Sequence, residues 1–247
     1  MNIFLKSIKE IVENNKIFFI VYYGTSTTSF DHVFPNWGEI IKYVLRGELE
    51  NFVDYKQAHW NLQTFNRGLS GASSKDLLIK IDDFVLETKP NMVFVGVGDN
   101  DYFYNIDKEI TKKNTTEIIN KLLDKNLKVV FTTAAPSLNE NLNKEIIEYI
   151  EIDREVAKQF LGNDNFVFVD LFELFPKNLL DKSYTLISPT GNTDAGYGPG
   201  ELDYIHYNKF GNAVVAKILL KKVFDIDFDH EKFLKDLEDN TKKYPDY

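Results

Sequence analysis

Short, almost unbroken apolar runs alternate along this chain with longer stretches in which apolar residues return every three or four positions. Runs of the first kind lie at 17–23 (IFFIVYY), 62–66, 91–97 (NMVFVGV), 127–133 (LKVVFTT) and 166–170 (FVFVD), the second being the weakest. Stretches of the second kind lie at 37–49, 73–87, 111–125, 140–161 and 207–224. Val, Ile and Phe without polar alternation predict strands buried on both faces. Strands that alternate with amphipathic helices predict a parallel α/β sheet covered by helices on both sides. At the start, Phe4, Ile8, Ile11 and Val12 recur at helical spacing, so residues 1–15 are expected to form a helix packed on the body.

Two segments break the pattern. Residues 183–203 (SYTLISPTGNTDAGYGPGELD) are rich in Gly, Pro, Asn and Asp and have no period. A loop of that length in a compact domain is expected to be functional or disordered. The charged stretch 229–247 is expected to be a solvated helix with a frayed end. No repeat, long linker or low-complexity block divides residues 1–247, which are read as a single domain.

Composition narrows the chemistry. The chain has 247 residues, a net charge of −9 and a pI near 5.0, which disfavour nucleic acid or an anionic membrane as the main partner. It has no cysteine, so disulfides, thiolate metal sites and a cysteine nucleophile are excluded. The first residues, MNIFLKSIKE, lack the uninterrupted apolar core of a secretory signal. The run at 17–23 is far short of the roughly 18 apolar residues of a membrane span. A cytoplasmic setting is expected; the oligomeric state is open.

In an open parallel sheet, ligands bind beyond the carboxyl ends of the strands. The first strand ends in GTSTTS, residues 24–29, which has neither the lysine nor the spacing of a phosphate-binding loop. GVGDND at 96–101 opens like a dinucleotide fingerprint, but Asp101 stands where the third glycine belongs. One of the hydroxyls can instead be a nucleophile, which needs a histidine base and a group to orient it. Of four histidines, His32 and His59 sit in aromatic, helix-flanking sequence and read as packing or surface residues. His230 lies in the charged tail and reads as solvated. His206 closes the long loop with Asp203 three residues before it, a spacing that lets the carboxylate hold Nδ1–H while Nε2 faces a hydroxyl. Gly68 and Gly71 in FNRGLSGASS free the backbone after the second strand, Ser73 or Ser74 can cap the next helix, and Gly98 permits a turn that aims Asn100 into the same crevice. Ser70 and Ser73 are rival nucleophiles.

With these residues placed, the chain resembles the SGNH hydrolase superfamily, the GDSL-like lipases and esterases. Gly24-Thr25-Ser26 resembles the Gly-Asp-Ser turn of the first block, and Gly68 within Asn66-Arg67-Gly68 stands for the second. Gly98-Asp99-Asn100-Asp101 and Asp203-Tyr204-Ile205-His206 match the third and fourth. Thr25 replaces the aspartate beside the nucleophile, a residue that supports the turn. The absence of G-x-S-x-G disfavours the larger α/β-hydrolase fold.

The resemblance implies a three-layer α/β/α sandwich around a flavodoxin-like five-stranded parallel sheet. It implies Ser26 as nucleophile, His206 as base, Asp203 as its orienting carboxylate, and an oxyanion hole formed by Ser26, Gly68 and Asn100. It calls for no metal or organic cofactor. The expected reaction is hydrolysis of a small-molecule carboxylic ester, with short acyl groups such as acetyl on a carbohydrate-like alcohol favoured. Lysophospholipase, thioesterase and sugar O-acetyltransferase activities would use the same site, and a non-catalytic flavodoxin-like binding module is the reading of another class. Thr25, Tyr102, Tyr197 and Tyr204 are candidates for lining the substrate crevice.

Overall fold

The computed structural model describes residues 3–50 and 61–241. Five strands form one all-parallel sheet: β1 (Phe18–Gly24), β2 (Leu62–Gly68), β3 (Met92–Gly96), β4 (Lys128–Thr132) and β5 (Phe166–Val169), in the order β2-β1-β3-β4-β5. The order reverses at β1, so the crevice between the ends of β1 and β3 is the topological switch point.

Alternate residues of each strand enter different cores, which is why the runs are apolar throughout. Phe18, Ile20, Tyr22, Met92, Phe94 and Val130 face α1 (Ile3–Glu13), α2 (Trp37–Glu50), α8 (Lys209–Leu219) and α9 (His230–Thr241). Val21, Tyr23, Val93, Val95, Val129 and Phe131 face α3 (Ser74–Phe84), α4 (Lys108–Asp124) and α5 (Glu140–Lys158). At about 25 cal/mol per Å² of apolar surface removed from water, these two faces supply the main driving force for folding. Two short helices, α6 (Leu171–Leu174) and α7 (Leu180–Ser183), escaped the sequence reading because four residues carry no period. The N-terminal helix buries Phe4, Ile8 and Val12 as its spacing predicts.

Chain ends of the helices explain several offsets. The stretch predicted at 73–87 stops as α3 at Phe84 and finishes in a 3₁₀ turn, Leu86–Thr88, closed by Lys89 at φ +48°. The predicted start at 111 moves back to Lys108 because the Asp107 side chain caps Glu109 N. Helix α8 runs on through a π turn, Leu220–Phe224, to a left-handed Asp225.

The 183–203 segment follows α7 and folds back on itself. Ile187 bridges Leu202, Asn192 bridges Tyr197, and Ser188 exchanges backbone hydrogen bonds with Glu201 and Gly200. Asp203 N donates to Leu186 O at 2.8 Å, so the carboxylate stands at the base of this hairpin-like loop. Among the described residues no helix is long and apolar enough to cross a membrane.

Candidate active site

The nucleophile turn is held from three sides. Within it, Thr28 N and Ser29 N both donate to Thr25 O, a one-turn helical coil that presents Ser26. From the start of α2, Asn36 Nδ2 donates to Thr28 O and Ser29 O, and Trp37 Nε1 donates to Thr27 O at 3.0 Å. From the end of β2, Asn66 Nδ2 donates to Thr28 O at 2.7 Å. The hydroxyl run thus does turn chemistry around one half-exposed serine. Its side-chain partners are carboxylates: Thr25 and Thr27 on Asp99, Ser29 on Asp31.

Ser26, His206 and Asp203 lie in one hydrogen-bonded line. Ser26 Oγ is 2.8 Å from His206 Nε2, and His206 Nδ1 is 2.7 Å from Asp203 Oδ2. With Nδ1 protonated, the imidazole donates to the carboxylate and accepts from the serine. The other oxygen, Asp203 Oδ1, accepts the backbone N–H groups of Ile205 and His206. Burial pushes the Asp203 carboxyl up, but the His206 hydrogen bond and charge together with these amides outweigh it and hold it at about 2. The carboxylate therefore stays ionised throughout the neutral range.

His32 sits at the surface and packs, as expected of it, and the ring it packs on is that of His206. Its ring lies on the His206 ring with centroids 4.1 Å apart and planes 13° from parallel. Burial and the neighbouring His206 depress its pKa, against the pull of Asp203 and Asp31. With Ser26, Val33, Asn36, His206 and Asn212 it lines a crevice beside the serine. The signal for this contact is absent from the sequence, because the two histidines are brought together only by the order of the strands. His230 is a correction: it is buried beside Phe210, with neither ring nitrogen hydrogen-bonded. His59 lies outside the described residues.

The sequence profile of the family described as GDSL-like lipase/acylhydrolase matches residues 20–219. The chain belongs to that family. It is accordingly an ester-hydrolysing enzyme of the serine hydrolase class. A comparison with curated protein sequences gives no match. Among solved structures the GDSL-like fold is shared with the acetyl xylan esterase AlAXEase, at 23% identity and TM-score 0.60, covering 83% of this chain and 99% of that one. It is shared with a lipase/acylhydrolase from Enterococcus faecalis, at 18% identity and TM-score 0.59, covering 84% and 95%. A variant of an acetyl xylan esterase from Geobacillus stearothermophilus gives 16% identity and TM-score 0.61, covering 84% and 95%.

In this GDSL-like site the second glycine needs correction. Gly68 N donates to Asn66 Oδ1 at 2.9 Å, so the amide expected to face an oxyanion is already engaged. Gly68 matters for another reason: a Cβ there would lie 2.3 Å from Ser29 N and 2.6 Å from Ser29 Cα. Gly71 has the free geometry instead. Its φ is +74°, and the N–H groups of Gly71 and Ser26 donate to no described residue. The next residue's carbonyl, Ala72 O, accepts Asn100 Nδ2 at 2.9 Å, which places the asparagine amide on the same rim. Ser73 caps α3 in a reciprocal box with Asp76, which removes it as a rival nucleophile.

The four residues expected to line the crevice are mostly occupied elsewhere. Thr25 is buried and bonded to Asp99, so it supports the turn. Tyr102 donates to Glu145 on the α4–α5 flank. Tyr197 is buried edge-on against Tyr204, and Tyr204 donates to Ala195 O, so both close the loop on itself. Burial, then the charge and hydrogen bond of Asp203, push the Tyr197 phenol up, so its hydroxyl faces that carboxylate.

Deeper in the sheet end, Asp99, Asp101 and Asp170 act on Asp153. Burial, reinforced by Asp99, Asp101 and Asp170 and opposed by Arg154, holds the Asp153 carboxyl well above the usual range. Asp101 is fully buried, accepting from Ser74 N and Thr111 Oγ1, and so ties α3 and α4 to the turn after β3.

Proposed function

We propose that this enzyme cleaves short-chain carboxylic esters, acetyl esters of carbohydrate-like alcohols being the favoured class, through a covalent acyl-enzyme. The observation that carries the reading is the line Ser26 Oγ, His206 Nε2, His206 Nδ1, Asp203 Oδ2, with links of 2.8 and 2.7 Å. In the first step His206 takes the Ser26 proton as Oγ attacks the ester carbonyl. The Ser26 and Gly71 amides and the Asn100 side chain donate to the developing oxyanion. His206 then gives its proton to the leaving alcohol oxygen. Water, deprotonated by the same nitrogen, attacks the acyl-Ser26 carbonyl; the acyl C–Oγ bond breaks, His206 returns the proton to Oγ, and the carboxylic acid leaves. Asp203 stays ionised and fixes the tautomer.

Two observations favour a short acyl group. The crevice beside Ser26 is lined mostly by polar side chains, Thr27, Ser29, His32, Asn36 and Asn212, with Val33 the one aliphatic group among its lining residues, which suits a small acyl group better than a long chain. Two of the structural neighbours are named acetyl xylan esterases, which supports an acetylated sugar as the first substrate to try.

A fluorophosphonate reagent followed by peptide mapping tests the nucleophile. The expected adduct is on Ser26, and labelling of Ser70 or Ser73 in its place would overturn the assignment. A hydrolysis screen over acyl length and acetylated saccharides tests the substrate. Turnover that rises with chain length would overturn the acetyl preference.

A further inference from the structure

Residue 25 is where the nucleophile turn departs from Gly-Asp-Ser, a threonine standing in place of a carboxylate. A carboxylate reaches that position from another strand end. Asp99 Oδ2 accepts Thr25 Oγ1 at 2.9 Å and Thr27 Oγ1 at 3.2 Å, and Ser26 is the residue between those two donors. Asp99 itself sits between Gly98, at φ +88°, and Asn100. One oxygen thus joins the turn that carries Ser26 to the turn that carries the Asn100 amide. Thr25 is only 1% exposed, and Thr27 and Asp99 are half-buried beside it. Burial pushes the Asp99 carboxyl up, while the two hydroxyl donors pull it down.

We propose that Asp99 is a positioning residue that holds the Ser26 turn in register with the oxyanion side of the crevice, taking over from β3 the task of the missing aspartate at 25. The inference rests on the reading of Ser26 as nucleophile. Two hydroxyl donors from either side of Ser26 converge on one carboxylate oxygen, so that single atom fixes the spacing of the turn. A displacement of the nucleophile by about 1 Å can cost 10²-fold in rate, so a joint between the two turns acts on kcat. Substrate contacts are untouched, so KM should hold.

The swap Thr25→Asp/Asp99→Thr tests this, because it exchanges two side chains of similar volume and keeps one carboxylate and one hydroxyl at the joint. On p-nitrophenyl acetate, Asp99→Thr and Thr25→Asp are each expected to lower kcat about 10–100-fold with KM within about twofold. The double variant is expected to recover to within about fivefold of the wild type, and fluorophosphonate labelling of Ser26 should follow the same order. Thr25→Val, which keeps the buried shape without the donor, should slow labelling about 3–10-fold, and Thr25→Ser should restore it. These smaller changes decide the matter if a variant at 99 fails to fold. A double variant no faster than the slower single, or Thr25→Val labelling at the wild-type rate, overturns the inference. Absence of any adduct on Ser26 in the wild type would instead overturn the nucleophile reading.

Discussion

The imidazole of His32 lies flat on the imidazole of His206, 4.1 Å between centroids. In the proposed mechanism His206 gains a proton during attack and loses it to the leaving group. A neutral ring beside it is tolerated, whereas a second positive charge opposes protonation. Burial and the neighbouring His206 lower the His32 pKa, which opposes a second positive charge beside the base.

Replacing His32 separates stacking from charge. His32→Phe keeps a ring and is expected to retain kcat within about threefold, while His32→Lys should shift the acid limb of kcat/KM to lower pH by about 0.5–1 unit. The measurement is a pH–rate profile with p-nitrophenyl acetate. An acid limb unmoved by the lysine would show that the two groups do not communicate.

Loss of the reacting groups should be far more costly. Ser26→Ala and His206→Ala are each expected to lower kcat by about 10³–10⁶-fold with the fold intact, and Asp203→Asn by about 10⁴-fold. Asp203 also contributes to stability. Its folded pKa, about 2, lies below the ordinary carboxylate value, so the contribution is complete above about pH 4 and is lost as the pH falls through 2. Denaturant titrations at pH 2, 3, 4 and 6 should show Asp203→Asn converging on the wild type only at the acid end.

Gly68, which ends β2, and Gly71, three residues on, are predicted to fail differently. Gly68→Ala forces a Cβ against the Ser29 backbone and should cost about 1–3 kcal/mol of stability, read as a lower Tm. Gly71 has room for a Cβ, whose nearest neighbour is Tyr104 Oη at 3.4 Å, but its φ of +74° strains any other residue. Asn100→Ala should lower kcat about 10²–10³-fold. An effect of Asn100→Ala confined to KM would remove that side chain from oxyanion stabilisation.

Asp153 should be a stability liability at neutral pH. Its folded pKa is raised, so the folded state loses ground relative to the unfolded chain as pH rises from about 4 through the folded value. Asp153→Asn is expected to raise Tm, and by more at pH 8 than at pH 5. A gain that shrinks with rising pH would contradict the sign.

The sheet was legible because burial on both faces leaves continuous apolar runs, as in Phe18–Tyr23, and the order of elements followed from strand–helix alternation. Ser26, Asn100, Asp203 and His206 were legible because each falls at a strand end or loop end where an open parallel sheet gathers its ligands. What stayed hidden were relations across the fold. Nothing local in Asn66-Arg67-Gly68 reveals that the asparagine side chain consumes the glycine amide. His32 and His206 are 174 positions apart in sequence, and their stacking depends on how the turn after β1 meets the loop before α8. The exposed role assumed for His230 failed because a charged helix can still begin on an apolar seat.

The hairpin-like loop that ends at Asp203 has a wider consequence. Its backbone bonds run between its own two arms, at Leu186, Asp203, Ser188, Glu201, Asn192 and Tyr197, while Tyr184 Oη on Pro136 O and Ser137 Oγ on Tyr204 O tie its base to the body. Such a loop behaves as a replaceable cassette. Residues at its tip, short of Tyr197, whose hydroxyl reaches Asp203, can be exchanged for other sequence while the carboxylate beneath keeps its place.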